Sequence, residues 1–145
     1  MSEIILSDDP ALLDVARIHA WLASSYWSPG IAREKVERAM AGSHCLGAFR
    51  DGVQIGFARA ITDHASFAWI DDVFVDETAR GQGAGRRMIG WFLDHPRFGD
   101  VRRFALVTKD AHGVYAGVGF HTLLKPERYM EHLSPEFVAL MRAQS

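Results

Sequence analysis

The residues best equipped for chemistry lie in one stretch, DDVFVDETARGQGAG, residues 71–85. Asp71 and Asp72 interrupt an otherwise apolar run, WIDDVFV, where an unpaired carboxylate is costly to bury. Strand alternation sends neighbouring side chains to opposite faces, so at most one of the two faces a given cleft unless a bulge intervenes. Gly81, Gly83 and Gly85 follow where a strand gives way to a helix. Backbone N–H groups at a helix start, backed by the helix dipole, attract an anion such as a phosphate. Glycines let that anion approach the backbone, and Arg80, Arg86 and Arg87 supply a positive rim. The same glycines also suit a tight turn with close helix packing, and spacing alone leaves both readings open. No Gly-Lys-Ser/Thr is present, and the third glycine of Gly-x-Gly-x-x-Gly is Arg86 or Met88. Neither the phosphate loop of NTPases nor the dinucleotide fingerprint is therefore formed.

Among the remaining candidates, His112 and Tyr115 share a helical face if their helix begins by Asp110. His112 has the pKa for proton transfer near neutrality, against the plainer reading of a surface histidine. That plainer reading extends to His19, His44 and His64. No His-x-x-x-His or His-Cys cluster occurs, so no metal is expected. Cys45 is the single cysteine, which excludes an internal disulfide and fits a reducing compartment.

These residues need a framework. Residues 3–7 read as a short edge strand, and Asp9-Pro10 as the cap and first turn of an amphipathic helix over 10–23. A second helix is expected over 31–41, ended by Gly42. The period then shortens to that of strands at 44–50, 53–62 and 66–75, the first two joined by Asp51-Gly52, a strong hairpin signal. A helix over 83–94 stops near Pro96. A central strand at 103–108, a short helix capped by Gly119, strands at 120–124 and 128–133, and a helix begun by Ser134-Pro135 complete the order. This predicts a mixed α/β or α+β fold, with a mixed sheet covered on both faces and a parallel strand–helix–strand unit.

The chain has 145 residues, 48% of them hydrophobic and 23% charged, with four Trp and nine Phe, a composition that buries a real core. One domain over 1–145 is expected. A formal charge of −2 argues against a nucleic-acid or membrane surface. With no signal peptide or membrane-spanning run visible, the expectation is cytoplasmic.

Two segments resemble a known family in order and in structural context. VDETARGQGAGRRMIGWFL resembles the central motif of the GCN5-related N-acetyltransferases, Gln/Arg-x-x-Gly-x-Gly/Ala after a strand, matched by Arg80-Gly81-Gln82-Gly83-Ala84-Gly85. FALVTKDAHGVYAGVGF resembles the following motif, with Tyr115, Gly119 and Phe120 on its marks. The resemblance implies the acyl-CoA N-acyltransferase fold, a mixed, mostly antiparallel sheet splayed between its fourth and fifth strands. It implies acetyl-CoA as cosubstrate, its pantetheine arm along Val73, Phe74 and Val75 and its pyrophosphate on the backbone of residues 81–86. Such a ligand satisfies the exposed edge of an irregular strand. The side chain of Phe74 can equally pack the core. A family asparagine at the end of the fifth strand is Thr108 here, whose hydroxyl has less reach toward the cofactor amide.

The reaction so implied is attack of a neutral amine on a thioester, which needs a base for the amine and an acid for the thiolate. Tyr115 matches the family's general-acid position, with packing against the sheet as its alternative. Asp71 is the expected base, followed by Asp72, a base elsewhere, or a water chain. Cys45 lies outside both motifs, so direct transfer in a ternary complex is expected. Tyr26 and Trp27, at the break between the first helices, either wall an acceptor pocket or cap the core. The acceptor is expected to be a small-molecule primary amine, with a protein or peptide amine also open, and a homodimer is compatible. The alternatives are a non-catalytic acyl-CoA-binding or regulatory protein, an enzyme acylating a hydroxyl, and one using a longer acyl group.

Overall fold

A computed structural model describes residues 2–144. Five strands form one sheet in the order β1-β2-β3-β4-β5. They are β1 Ile5–Ser7, β2 His44–Arg50, β3 Val53–Thr62, β4 Phe67–Val75 and β5 Arg103–Ala105. β1 to β4 pair antiparallel, and β5 joins β4 in parallel. Asp51 and Gly52, both at positive φ, make the two-residue turn between β2 and β3 where the sequence places it.

Helices cover both faces. On one side α1 (Val15–Ala23) and α2 (Arg33–Ala41) bury Ile18, Trp21, Leu22 and Val36 against Phe57. On the other, α3 (Ala84–Asp94) buries Met88, Ile89 and Phe92 against Leu46, Ala58, Ile70 and Phe98. Each such large side chain contributes roughly 1.5–3 kcal/mol by leaving water. α4 (His112–Ala116) and α5 (Pro135–Ala143) follow β5. Among the described residues, no helix is long and apolar enough to cross a membrane.

The expected helix over 10–23 is two pieces. Asp9 caps only the single 3-10 turn Pro10–Leu12, and Asp14 then caps α1 by accepting from Arg17 N at 3.0 Å. The break is anchored because the buried Gln54 accepts the Asp14 N–H at 2.7 Å. The helix expected from 31 begins at Arg33, and the strand expected over 103–108 is only Arg103–Ala105. Residues 120–124 and 128–133 form no strands; Pro126 instead starts a 3-10 turn. β5 therefore ends the sheet, and its outer edge is unpaired.

The feature that positions the site is a bulge in β4. Arg59 faces Asp71 and Phe57 faces Phe74, so β4 advances by one more residue than β3. Asp72 absorbs the excess at φ 52, a left-handed conformation that is strained for a residue with a Cβ.

Candidate functional site

β4 and β5 pair only from Phe67–Trp69 to Arg103–Ala105. Beyond that point the strands diverge, which leaves the β5-facing edge of residues 70–75 without a ladder partner. The expected splay is present. Val73 and Val75 pack toward α3, whereas Phe74 stacks on Trp21 at 5.3 Å between centroids. The Phe74 side chain thus packs on the core of the α1/α2 side.

At the end of β4, Asp76 accepts from Thr78 N and supports a single 3-10 turn, Glu77–Ala79. Arg80 folds back over the Phe74 ring and donates to Val75 O at 3.0 Å. Gly81 and Gly83 have φ of 78 and 83, so both need the left-handed freedom of glycine. Gly83 is the N-cap of α3 and offers no side chain to the first-turn N–H groups. Those donors point out of the helix start unblocked by a Cβ at Gly85, whose own addition would meet only Val75 at 4.0 Å. Gln82 is exposed and accepts from Arg50, and the Ala84 methyl is buried. Arg86, also exposed, lies across Gly117 of the turn after α4. Arg87 is tied to Ile4 O at 2.9 Å. This mouth combines free N–H donors, a helix start and one guanidinium, and it fits a phosphate-bearing ligand.

The other end of the groove holds the titratable groups. The bulge puts both aspartates on the α1/α2 side, contrary to simple alternation. Arg59 Nε donates to Asp72 at 2.7 Å and its Nη2 lies 3.3 Å from Asp71. Asp72 also accepts from the Trp27 indole at 2.9 Å, so both its oxygens are engaged. The Asp72 side chain is 8% exposed and that of Asp71 35%, which leaves Asp71 the more accessible carboxylate. Burial, then the charge of Asp72, push Asp71 above the usual carboxylate range against the pull of Arg59. Tyr115 is half-buried on α4; burial, with smaller contributions from Tyr26 and Asp71, pushes its hydroxyl up to about 12. The Tyr115 ring meets Phe120 edge-on at 5.9 Å, and Phe120 N closes the helix by bonding Tyr115 O, with Gly119 at φ 100.

Thr108 accepts from Ala111 N at 3.1 Å and so shapes the entry to α4, with its O–H free to donate. His112 is exposed. His44 is not the plain surface residue expected, since its ring is bonded to His64 and Asp8, both at 2.9 Å. Cys45 lies on the α1/α2 face with its thiol pushed up to about 11 by burial. Among the described residues no cluster of His, Cys, Asp or Glu could hold a metal ion. Arg59 escaped sequence reasoning; the available signal was a cation inside the apolar run IGFARAIT, on the strand opposite WIDDVFV. Two surface concavities, of 620 and 260 Å³, lie elsewhere, one beside His44, Cys45 and His64 and one beside Leu12 and Phe49. A groove running along an open strand edge encloses little volume, so strand geometry marks this site better than enclosure does.

A mixed sheet splayed at β4 and β5, with a glycine-rich helix start beside the splay, defines the acyl-CoA acyltransferase class. Residues 11–120 match the model of the acetyltransferase (GNAT) family, and the chain belongs to that family. A crystal structure of a GNAT-family protein from Xanthomonas campestris pv. campestris superposes with a TM-score of 0.88 at 41% identity, covering 93% of this chain and 96% of that one. An acetyltransferase-like protein of Gibberella zeae is 29% identical over 130 residues, 74% of this chain and 73% of its own. A Clostridium acetobutylicum acetyltransferase solved with acetyl-CoA shares the fold, with a TM-score of 0.66 at 17% identity, 92% of this chain and 96% of that one being covered.

Proposed function

We propose that this acetyltransferase moves an acetyl group from acetyl-CoA to a small-molecule primary amine by direct transfer. The observation that carries the reading is the unpaired edge of β4 running into the open N-terminus of α3. The ligand held by the fold-mate from Clostridium acetobutylicum agrees with it. Backbone groups of Val73, Phe74 and Val75 hold the pantetheine amides. The N–H groups of Gly81, Gln82, Gly83, Ala84, Gly85 and Arg86 hold the pyrophosphate, with the Arg86 guanidinium alongside. Arg80 keeps the strand end in shape, and the Thr108 hydroxyl donates to the amide chain.

Acetyl-CoA supplies the activated acetyl thioester. Asp71, kept basic by burial, takes the proton that the amine loses as its C–N bond forms. The Tyr115 hydroxyl, protonated at neutral pH, gives a proton to the sulfur as the C–S bond breaks. The thiol of Cys45 is held neutral, which favours direct transfer over an acetyl-cysteine. A second copy of the chain covers the unpaired β5 edge, a reading supported by that open edge and by the exposed Val107, two residues beyond β5.

Thermal unfolding with saturating acetyl-CoA, compared with adenosine, tests the cosubstrate claim. Ligand at a hundred times its Kd adds about 2.7 kcal/mol of stability, a readily measured rise in Tm. No rise would sink the assignment. A rise without CoA release across a panel of small amines would instead support an acyl-CoA-binding protein.

A further inference from the structure

The segment between α1 and α2 is moored on both sides of the splay. On the β4 side the Trp27 indole donates to Asp72 at 2.9 Å. On the β5 side the Tyr26 hydroxyl accepts from Lys109 N at 3.2 Å, and Lys109 Nζ lies 5.4 Å from the Tyr26 ring centre. The two aromatic rings meet edge-to-face at 5.0 Å, so Tyr26-Trp27 acts as one rigid strap across the diverging strands. We propose that Asp72 is a positioning residue of the acceptor site. With Arg59 it sets the bulge that aims Asp71 into the groove, and through Trp27 it moors the strap that bounds the acceptor end.

Several observations converge on this role. Asp72 holds a left-handed backbone at φ 52, uncommon for a residue other than glycine and kept where its surroundings fix it. Its carboxylate is buried, whereas that of Asp71 is 35% exposed, so Asp72 is badly placed to take a proton from an amine. Arg59 is itself fixed from three directions, by Asp71, by Asp72 and by Ser43 at 2.9 Å, whose hydroxyl donates to Ala39 O at the end of α2. The bulge, the strap and α2 therefore meet at one guanidinium. Bidentate geometry makes arginine suited to bridging two carboxylates, and lysine cannot reproduce it.

The proposal rests on Asp71 being the base, and its test is arranged to read out without turnover. Carboxyl carbon-13 NMR titration of Asp71 is recorded in the ligand-free full chain for wild type, Asp72→Asn and Arg59→Lys. The groups that act on Asp71 are the Asp72 carboxylate on β4, the Arg59 guanidinium on β3 and the hydrogen-bonding Trp69 side chain, and Asp71 in turn acts on Tyr115 of α4. Removing the Asp72 charge moves the Asp71 midpoint to lower pH; weakening the Arg59 contact moves it to higher pH. A purely structural lesion would not give opposite signs. In parallel, Trp27→Phe removes the indole N–H and keeps the ring. It speeds hydrogen exchange across residues 24–31 about fivefold, the effect of losing about 1 kcal/mol of protection.

Opposite shifts with faster exchange in the strap support the proposal. An unmoved Asp71 midpoint in both variants, or wild-type exchange in Trp27→Phe, overturns it. Should Asp72→Asn not fold, Arg59→Lys and Trp27→Phe still decide. None of these readouts depends on acetyl-CoA, so failure of the cosubstrate assignment and failure of this proposal are separately visible.

Discussion

The Arg86 guanidinium lies so close over Gly117 that a Cβ on Gly117 would sit 2.7 Å from Arg86 Cζ. The clash falls on the end of a flexible side chain, so Gly117→Ala displaces Arg86 at little cost to the fold. We expect a stability change within about 0.5 kcal/mol, as for ordinary surface substitutions. If Arg86 contacts the pyrophosphate, losing that charged hydrogen bond raises the acetyl-CoA Kd about tenfold. Calorimetric titration beside thermal unfolding separates the two effects.

Gly83 and Gly85 carry different demands. Gly83→Ala forces a side chain into the left-handed region at a cost of about 1–2 kcal/mol. Gly85→Ala meets no clash and removes a helical glycine, so the free protein gains up to about 1 kcal/mol. Its methyl stands in the anion mouth, and the acetyl-CoA-induced rise in Tm shrinks. An undiminished rise for Gly85→Ala would place the phosphate elsewhere.

Tyr115→Phe removes the hydroxyl alone. No hydrogen bond of that hydroxyl is found among the described residues, so the variant unfolds within about 0.5 kcal/mol of wild type. Turnover falls by about a hundredfold or more if the hydroxyl is the acid, with acetyl-CoA affinity retained. Because the phenol is pushed up to about 12, wild-type turnover has no alkaline fall from Tyr115 below about pH 10. Equal rates in the two proteins would remove Tyr115 from the chemistry.

Asp71 couples stability to pH in a definite direction. Its folded pKa is raised, so its stabilising contribution is present below the unfolded pKa and is lost as pH rises through the folded value. Asp71→Asn cannot ionise. The Tm of the variant relative to wild type therefore grows more positive between pH 4 and pH 7, while activity drops. A constant difference across that range would mean the Asp71 pKa is not raised.

The hairpin and the glycine-rich helix start were legible because each is specified locally. Asp51-Gly52 demands its turn, and Arg80 to Gly85 sit between a strand and an amphipathic helix. What escaped depends on partners distant in sequence. The break at Leu13 needs Gln54, forty residues on from Asp14, to hold the Asp14 N–H. Residues 120–124 and 128–133 have strand composition, and no strand among the described residues pairs with them. Asp71 and Asp72 were separable by alternation only in a regular strand. The guanidinium that gathers them lies on β3, and nothing beside the aspartates in sequence announces it.

The extra residue in β4 also fixes a parity. Every position after Asp72 faces the side opposite to the one an uninterrupted strand would give it. Val73 and Val75 reach α3, and Phe74 reaches Trp21, only because the count is odd by one. Straightening β4 into an unbulged strand, with no residue lost, would exchange the two faces of the strand end. Phe74 would turn under α3 and the valines toward α1, so one carboxylate keeps the register of both halves of the core.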